Sequence, residues 1–272
     1  AFPAGVAAKR ATGKPLVVHV HLPSVDQGGG GDTRIRAIEE EGMREADAVI
    51  AISHRIKDVL VQVYGIPQEK IFVIHNGLTL ERHEQTPPLH IKPKDGFLAL
   101  YLGRLTMHKG PDHFLRAAAI VAQYEPKYRF VIAGSGELEY QLMHQAAASG
   151  IGDKVFFSGF VRGSEREALL TYADVLVMSS VAEPFGLVAL EAMGYGTPAV
   201  ISKQSGAREV LRHTLTADFW DTEQMAEYML ALARYPELKN VMTRDGQQEA
   251  HMVTWDKAAN ACAELYTVCT AG

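Results

Sequence analysis

The feature that most constrains this chain is an alternation of short, continuously apolar runs with segments of helical period. Leu16–His21, Ala48–Ile52 and Ile71–Ile74 read as strands, with helices over Arg34–Ala46 and Ser53–Tyr64 between them. After a Pro-rich, charge-mixed stretch at Glu81–Asp95 the pattern restarts. Phe97–Leu102, Arg129–Ala133, Lys154–Phe157, Val175–Met178 and Ala199–Ile201 read as strands. Helical segments fall at Pro111–Gln123, Glu137–Ser149, Ser164–Tyr172, Leu187–Tyr195 and Gly206–Leu211. Three more helices follow, over Thr222–Arg234, Pro236–Ala250 and Thr254–Thr267, with Thr222 and Thr254 as N-caps. Strands apolar nearly throughout suit a parallel sheet buried on both faces, and short strand–helix connections make a doubly wound α/β fold. The later part has enough strands for a full Rossmann-like sheet. The earlier part has fewer and leaves a strand edge that needs a partner.

Length and charge narrow the function classes. A chain of 272 residues accommodates roughly two domains. Lys plus Arg number 27 against 32 acids, a formal charge of −5, so no basic excess drives binding to nucleic acid or anionic lipid. The apolar runs fall short of the ~20 residues of a membrane span, and Ala1–Lys14 lacks the ordered pattern of a secretory signal. Cys262 and Cys269 stand two helical turns apart, roughly 10 Å along the axis, which is too far for a disulfide. A reducing, cytoplasmic setting is expected.

Four strand-end segments carry candidate chemistry. In Ser179-Ser-Val-Ala-Glu-Pro-Phe-Gly-Leu-Val-Ala-Leu-Glu191, Glu183 falls at the carboxyl end of a strand, where open α/β sheets bind ligands. Gly186 permits close backbone approach, and the helix beginning at Leu187 offers N–H groups to an anion. Glu191 lies further along that helix, so a ligand along the helix start meets an acid, then amides, then a second acid. A nucleotide sugar has that layout. Acids placed to suit the helix dipole give the plainer reading. Gly103-Arg-Leu-Thr-Met-His-Lys-Gly110 is a strand-to-helix turn whose Arg104 and Lys109 suit phosphate, although the spacing is not that of a P-loop. Solvated surface cations are the alternative there. Ala133-Gly-Ser-Gly-Glu137, with Gly134, and Ser158-Gly-Phe-Val161, with Gly159, Phe160 and Val161, complete one rim. His19 and His21 share a strand face. They lack a convincingly spaced third metal ligand, and no Asp-x-Asp occurs, which removes the commonest sequence sign of a metal-bound nucleotide-diphosphate site. His54, His83, His90, His113, His144, His213 and His251 are expected on surfaces, and Tyr228–Leu232 in the core.

These segments resemble, in order, the motifs of retaining glycosyltransferases of family 4, which have the GT-B fold of two Rossmann-like domains. Glu183-Pro-Phe-Gly-Leu-Val-Ala-Leu-Glu191 resembles their E-x7-E motif, Gly103-Arg-Leu…Lys109-Gly their diphosphate turn, and Ala133-Gly-Ser-Gly-Glu137 their A-G-x-G segment. Ala46-Asp-Ala-Val-Ile-Ala-Ile-Ser53 resembles the strand before their interdomain hinge, and Ile74-His-Asn-Gly77 the P-N-G-V hinge, with His75 in place of proline. Ser202-Lys-Gln-Ser-Gly206 resembles the loop after the E-x7-E helix. The resemblance spans roughly residues 16–268 and implies retaining, metal-independent transfer from a nucleotide-diphosphate sugar (UDP-, ADP- or GDP-linked) to an acceptor hydroxyl, with no cofactor. By carry-over, Glu183 contacts the donor sugar, Glu191 the ribose diol, and Arg104 and Lys109 the leaving diphosphate, helped by amides near Phe185, Gly186 and Leu187. Gly103, Gly134, Gly159, Phe160 and Val161 line the donor site, and His21 faces the transferred sugar.

The departures lie at the start. Roughly the first 100 residues of the family's first domain have no counterpart, and Gly28–Gly31 follows the strand bearing His21, where a mobile acceptor-side loop is expected. The expected organisation is a partial N-terminal domain over 1–78, a linker over 79–96, a donor domain over 97–250 and a helix over 251–272 crossing back to the first domain. A fragment, one chain of a split enzyme and a reduced nucleotide-binding protein all fit this organisation. The activity expected is glycosyl transfer. The alternative is a non-catalytic or split sugar-nucleotide-binding subunit completed by a partner chain or a second copy. A dinucleotide-dependent oxidoreductase or epimerase would need G-x-G-x-x-G, of which Gly134-Ser-Gly136 supplies two glycines.

Overall fold

The computed structural model describes residues 1–27, 32–80, 83 and 91–271. The expected glycine-rich loop at Gly28–Gly31 and residues 81, 82 and 84–90 of the expected linker lie outside the described residues. The chain forms two compact units, one of Ala1–Gly77 with Val253–Gly272, the other of Leu78–Met252.

The first unit contains α1 (Phe2–Thr12), β1 (Val17–Val20), α2 (Thr33–Glu45), β2 (Ala48–Ala51), α3 (His54–Gln62) and β3 (Ile71–Val73). The strands form a parallel sheet in the order β1-β2-β3, with His19 opposite Ile50 and Val49 opposite Ile71. Side-chain caps set the helix starts: Asp32 accepts from the Arg34 amide, and Ser53 from that of Ile56. The last helix of the chain, Trp255–Ala271, belongs to this unit. Its Leu265 is buried with Ala48, Ile50 and Ile74, and Ala258, Ala261 and Cys262 pack beside them. Gly77 passes so close to its start that a Cβ there would stand 2.2 Å from the Trp255 nitrogen.

The second unit contains β4 (Phe97–Leu102), α4 (Pro111–Tyr124), β5 (Tyr128–Ala133), α5 (Glu139–Ala148), β6 (Val155–Gly159), α6 (Gly163–Tyr172), β7 (Val175–Met178), α7 (Leu187–Gly194), β8 (Ala199–Ser202), β9 (Leu215–Ala217), α8 (Thr222–Arg234) and α9 (Pro236–Met252); the Trp255–Ala271 helix is α10. Its sheet has six parallel strands in the order β6-β5-β4-β7-β8-β9. Alternate residues of each strand serve opposite faces, and both faces are buried. Tyr101, Phe130, Ile132 and Val177 meet Phe114, Leu115 and Val121 of α4 and Met225, Met229 and Leu232 of α8, while Leu100, Val131 and Leu176 are buried as well. Covering both faces requires the near-continuous apolar strands seen in the sequence.

Several expectations are corrected. Gly206–Leu211 is a 3₁₀ turn over Gly206–Glu209, started by Ser205, whose side chain accepts from the Ala207 amide. Asp221, not Thr222, caps α8 by accepting from the Gln224 amide. α1 and the short edge strand β9 join the expected elements. His113 and His213 are half-buried rather than on the surface. The Nδ1 of His113 has no hydrogen-bond partner, and burial lowers its pKa. His83 is exposed but engaged, its Nδ1 lying 2.7 Å from Glu167.

Candidate active site at the carboxyl edge of the second unit

Because every pairing in the six-stranded sheet is parallel, the carboxyl ends of its strands lie along one edge. β4 pairs with β5 on one side and β7 on the other, so successive connections run outward in opposite directions from this pair. Such a reversal opens a crevice above the two strand ends, the place where open α/β sheets bind ligands. The loops after β4 and β7 are those carrying Arg104, Lys109 and Glu183.

Those loops are stitched together. Ser179 Oγ donates to the Gly110 carbonyl at 2.7 Å, and the Val181 amide to the His108 carbonyl at 2.8 Å. Gly110 is left-handed at φ +59, and a Cβ there would come within 2.2 Å of the Ser179 carbonyl oxygen. From below, the buried Tyr101 hydroxyl donates to the carbonyls of Arg104 and Lys109 at 3.0 and 3.3 Å. Burial foremost, then the charge of Glu183, raises the Tyr101 pKa, so the hydroxyl keeps its proton to donate. In this frame Lys109 Nζ meets Glu183 Oε2 at 2.6 Å, and Ser180 Oγ donates to the same oxygen at 3.1 Å. Arg104 is exposed.

The Glu183–Gly186 turn is held by the loop after β8. Glu183 forms a parallel bridge with Ser205: its amide donates to the Gln204 carbonyl at 3.3 Å, and its carbonyl accepts from the Gly206 amide at 3.1 Å. Ser205 Oγ donates to the Phe185 carbonyl at 2.9 Å. Gly186, at φ +106, then turns the chain into α7, whose N-terminus has no side-chain cap. The first amides of a helix have no partner within it, so this end suits an anion. Glu191 lies one turn beyond Leu187 on the same face of α7. Its carboxylate accepts from Arg166 Nη2 of α6.

The loops after β5 and β6 close the other side. The amide of Gly134 donates to the Gly159 carbonyl at 2.8 Å, and that of Leu105 to the Ser135 carbonyl at 3.0 Å. Gly134 sits at φ +142, and a Cβ on it would stand 1.8 Å from the Gly103 oxygen. Gly159 is left-handed at φ +67, Phe160 is 74% exposed and Val161 is buried. The structure thus brings Gly103, Arg104, Lys109, Gly134, Gly159, Phe160, Val161, Glu183, Phe185, Gly186, Leu187 and Glu191 to one edge of one sheet. His21 belongs to the first unit, where it follows β1 and stacks on His19 at a ring separation of 4.4 Å. Burial, then the neighbouring His21 charge, lowers the His19 pKa. Among the described residues, no group of three or more His, Cys, Asp or Glu could hold a metal ion, and no helix is long and apolar enough to cross a membrane.

Tyr101, Arg166, Ser180, Gln204 and Ser205 escaped the sequence reading as site residues. Gln204 and Ser205 lay in a quoted motif without an assigned task. Ser180 stands three residues before Glu183, a spacing that could have suggested a contact. Arg166 carries no local signal.

Comparison with known proteins converges on one family. The profile of "Glycosyl transferases group 1" matches residues 83–249, and that of "Glycosyltransferase Family 4" matches residues 1–82. An uncharacterised glycosyltransferase of Methanocaldococcus jannaschii is 34% identical over 212 residues, covering 73% of this chain and 54% of its own. The mannosylfructose-phosphate synthase of Agrobacterium fabrum is 32% identical over 240 residues, covering 82% of this chain and 53% of its own. The chain therefore spans about half the length of these curated relatives. Among solved structures, Anabaena HepE in complex with UDP and glucose superposes with a TM-score of 0.79 at 21% identity, covering 97% of this chain and 74% of its own.

Proposed function

Since the chain belongs to the glycosyl transferases group 1 family and has its GT-B fold, we propose that it acts in retaining transfer of a sugar from a nucleotide-diphosphate sugar to an acceptor hydroxyl. The observation that carries this reading is the Lys109–Glu183 pair, held at 2.6 Å beside the uncapped start of α7. A diphosphate at that helix start gains the amides of Gly186 and Leu187 and the charges of Lys109 and Arg104. Glu183 accepts from the sugar hydroxyls and Glu191 from the ribose diol. In the reaction the bond from the sugar's anomeric carbon to the diphosphate oxygen breaks and a bond to the acceptor oxygen forms on the same face. The acceptor's proton leaves to the released diphosphate or to solvent. Charge grows on the diphosphate as that bond breaks, and cations already in place stabilise it without reorganisation.

In this reading no metal or cofactor is required, because Arg104 and Lys109 supply the positive charge. His21, in the first unit, keeps the role that the resemblance gives it. A cytoplasmic setting suits both a nucleotide-sugar donor and the free thiols of Cys262 and Cys269. UDP is the first donor nucleotide to try, since HepE was solved with it. The second reading is a sugar-nucleotide-binding subunit completed by another chain, and it is favoured by Arg104, Lys109, Glu183 and Glu191 all lying within the second unit.

Calorimetric titration with UDP, ADP and GDP, followed by release of labelled sugar from the matching donor, tests both readings. Binding lost in Glu191→Ala, with sugar release abolished in Glu183→Ala, supports the transferase. Binding without release supports the subunit. Wild-type binding and release in both variants would remove the site assignment.

A further inference from the structure

The Glu191 carboxylate is not presented alone. Arg166 Nη2 donates to its Oε2 from the neighbouring helix α6. The two side chains are 30% and 19% exposed, so the pair is largely covered, unlike the solvated surface pairs that contribute little. α6 starts directly after the Gly159–Val161 loop, and α7 starts at the anion-binding turn, so this pair links the two helices whose N-terminal ends border the site. The acids flanking Arg166 in sequence are Glu165 and Glu167, and Glu167 is engaged with His83.

We propose that Arg166 is a positioning residue for nucleotide recognition: its guanidinium fixes the Glu191 carboxylate in one orientation before the ribose diol arrives. This inference rests on the reading of Glu191 as the diol ligand. A carboxylate accepts up to about four hydrogen bonds, so guanidinium and diol can share it. The planar fork of an arginine constrains the carboxylate plane, which a lysine ammonium cannot do. Ordering the acceptor in advance removes an entropy cost that binding would otherwise carry.

The test compares wild type, Arg166→Leu and Arg166→Lys by calorimetry against UDP, ADP, GDP and their 2′,3′-dideoxy counterparts. For whichever ribonucleotide binds, Arg166→Leu is expected to weaken it about tenfold, the scale of one hydrogen bond to a charged group. The dideoxy form, which has no diol, should bind wild type and variant alike. Arg166→Lys should recover only part of the loss, and Arg166→Leu should add nothing in an Glu191→Ala background. Equal weakening of the ribo and dideoxy forms, or unchanged or tighter ribonucleotide binding, overturns the inference. If no diphosphate binds wild type, or Glu191→Ala still prefers the ribo form as wild type does, the reading of Glu191 itself fails and the inference falls with it. Matching thermal midpoints for the two Arg166 variants exclude simple misfolding.

Discussion

Lys109 and Glu183 come from loops 74 positions apart and meet at 2.6 Å. Neither loop reaches this geometry by itself. Tyr101 holds the backbone of one from below, and Ser179 ties the two together at Gly110. On the proposed reading, the carboxylate holds the lysine ammonium in place, so the cation does not have to be ordered when a diphosphate binds.

Lys109→Ala should therefore separate phosphate recognition from nucleoside recognition. Losing a charge-assisted bond is expected to weaken a nucleoside diphosphate roughly ten- to hundredfold and the bare nucleoside little. Titration of the variant with both ligands reads the difference. Equal losses would take the phosphate role away from Lys109.

Gly134→Ala and Gly150→Ala form a matched pair. Both glycines have positive φ, +142 and +70, but only at Gly134 would a Cβ strike backbone, 1.8 Å from the Gly103 oxygen. Gly150→Ala should cost about 1 kcal/mol from conformation alone. Gly134→Ala should cost about 3 kcal/mol or displace the Gly103 loop, lowering diphosphate affinity as well. Urea denaturation with parallel titration decides it. Equal small losses would mean the contact between the two turns is unimportant.

Tyr101 and Tyr128 give the fold an alkaline limit. Burial is the chief cause raising both above the ordinary value of 10.0; Glu183 adds to it for Tyr101 and Asp174 for Tyr128. Above pH 10 the unfolded tyrosines lose protons that the folded ones keep, so the folded state binds more protons and stability falls as pH rises. Each tyrosine contributes a slope of about 1.4 kcal/mol per pH unit between pH 10 and 12. Tyr101→Phe should flatten the decline by one such share while costing about 1 kcal/mol at pH 7 for its lost hydrogen bonds. Denaturation midpoints of wild type and variant from pH 8 to 12 measure both effects. Parallel curves would show that Tyr101 ionises normally in the folded state.

The legible and illegible parts of this chain differ in how local their causes are. β4 and β7 were readable to the residue because both faces are buried and every position is apolar. β9 is three residues with two half-buried at a sheet edge, too short and mixed to show a pattern. α1 was missed because Phe2-Pro-Ala-Gly5 opens it, and glycine and proline usually interrupt helices; here Pro3 falls in the first turn, where no N–H is needed. At the candidate site, the placement of Glu183, Gly186 and Glu191 along one strand–turn–helix is legible from spacing alone. Arg166 reaches Glu191 only after α6 and α7 pack, and Tyr101 reads in the sequence as one more core aromatic.

Ser205 is the sharpest case of a tertiary cause with a local effect. Its hydroxyl donates to the Phe185 carbonyl and accepts from the Ala207 amide, and it is buried. Gly186 follows at φ +106, with its hydrogen side against that hydroxyl: a Cβ there would lie 2.9 Å from it. Ser205→Ala removes a single oxygen and with it the bonds to the Phe185 carbonyl and from the Ala207 amide, at about 1–3 kcal/mol. If the hydroxyl aims the first amides of α7, the variant should lose diphosphate affinity beyond that of the nucleoside, and Ser205→Thr should restore part of it. Titrating both variants with a diphosphate and its nucleoside separates the cases. A loss of stability with unchanged affinity would show that Ser205 supports the turn without aiming the helix.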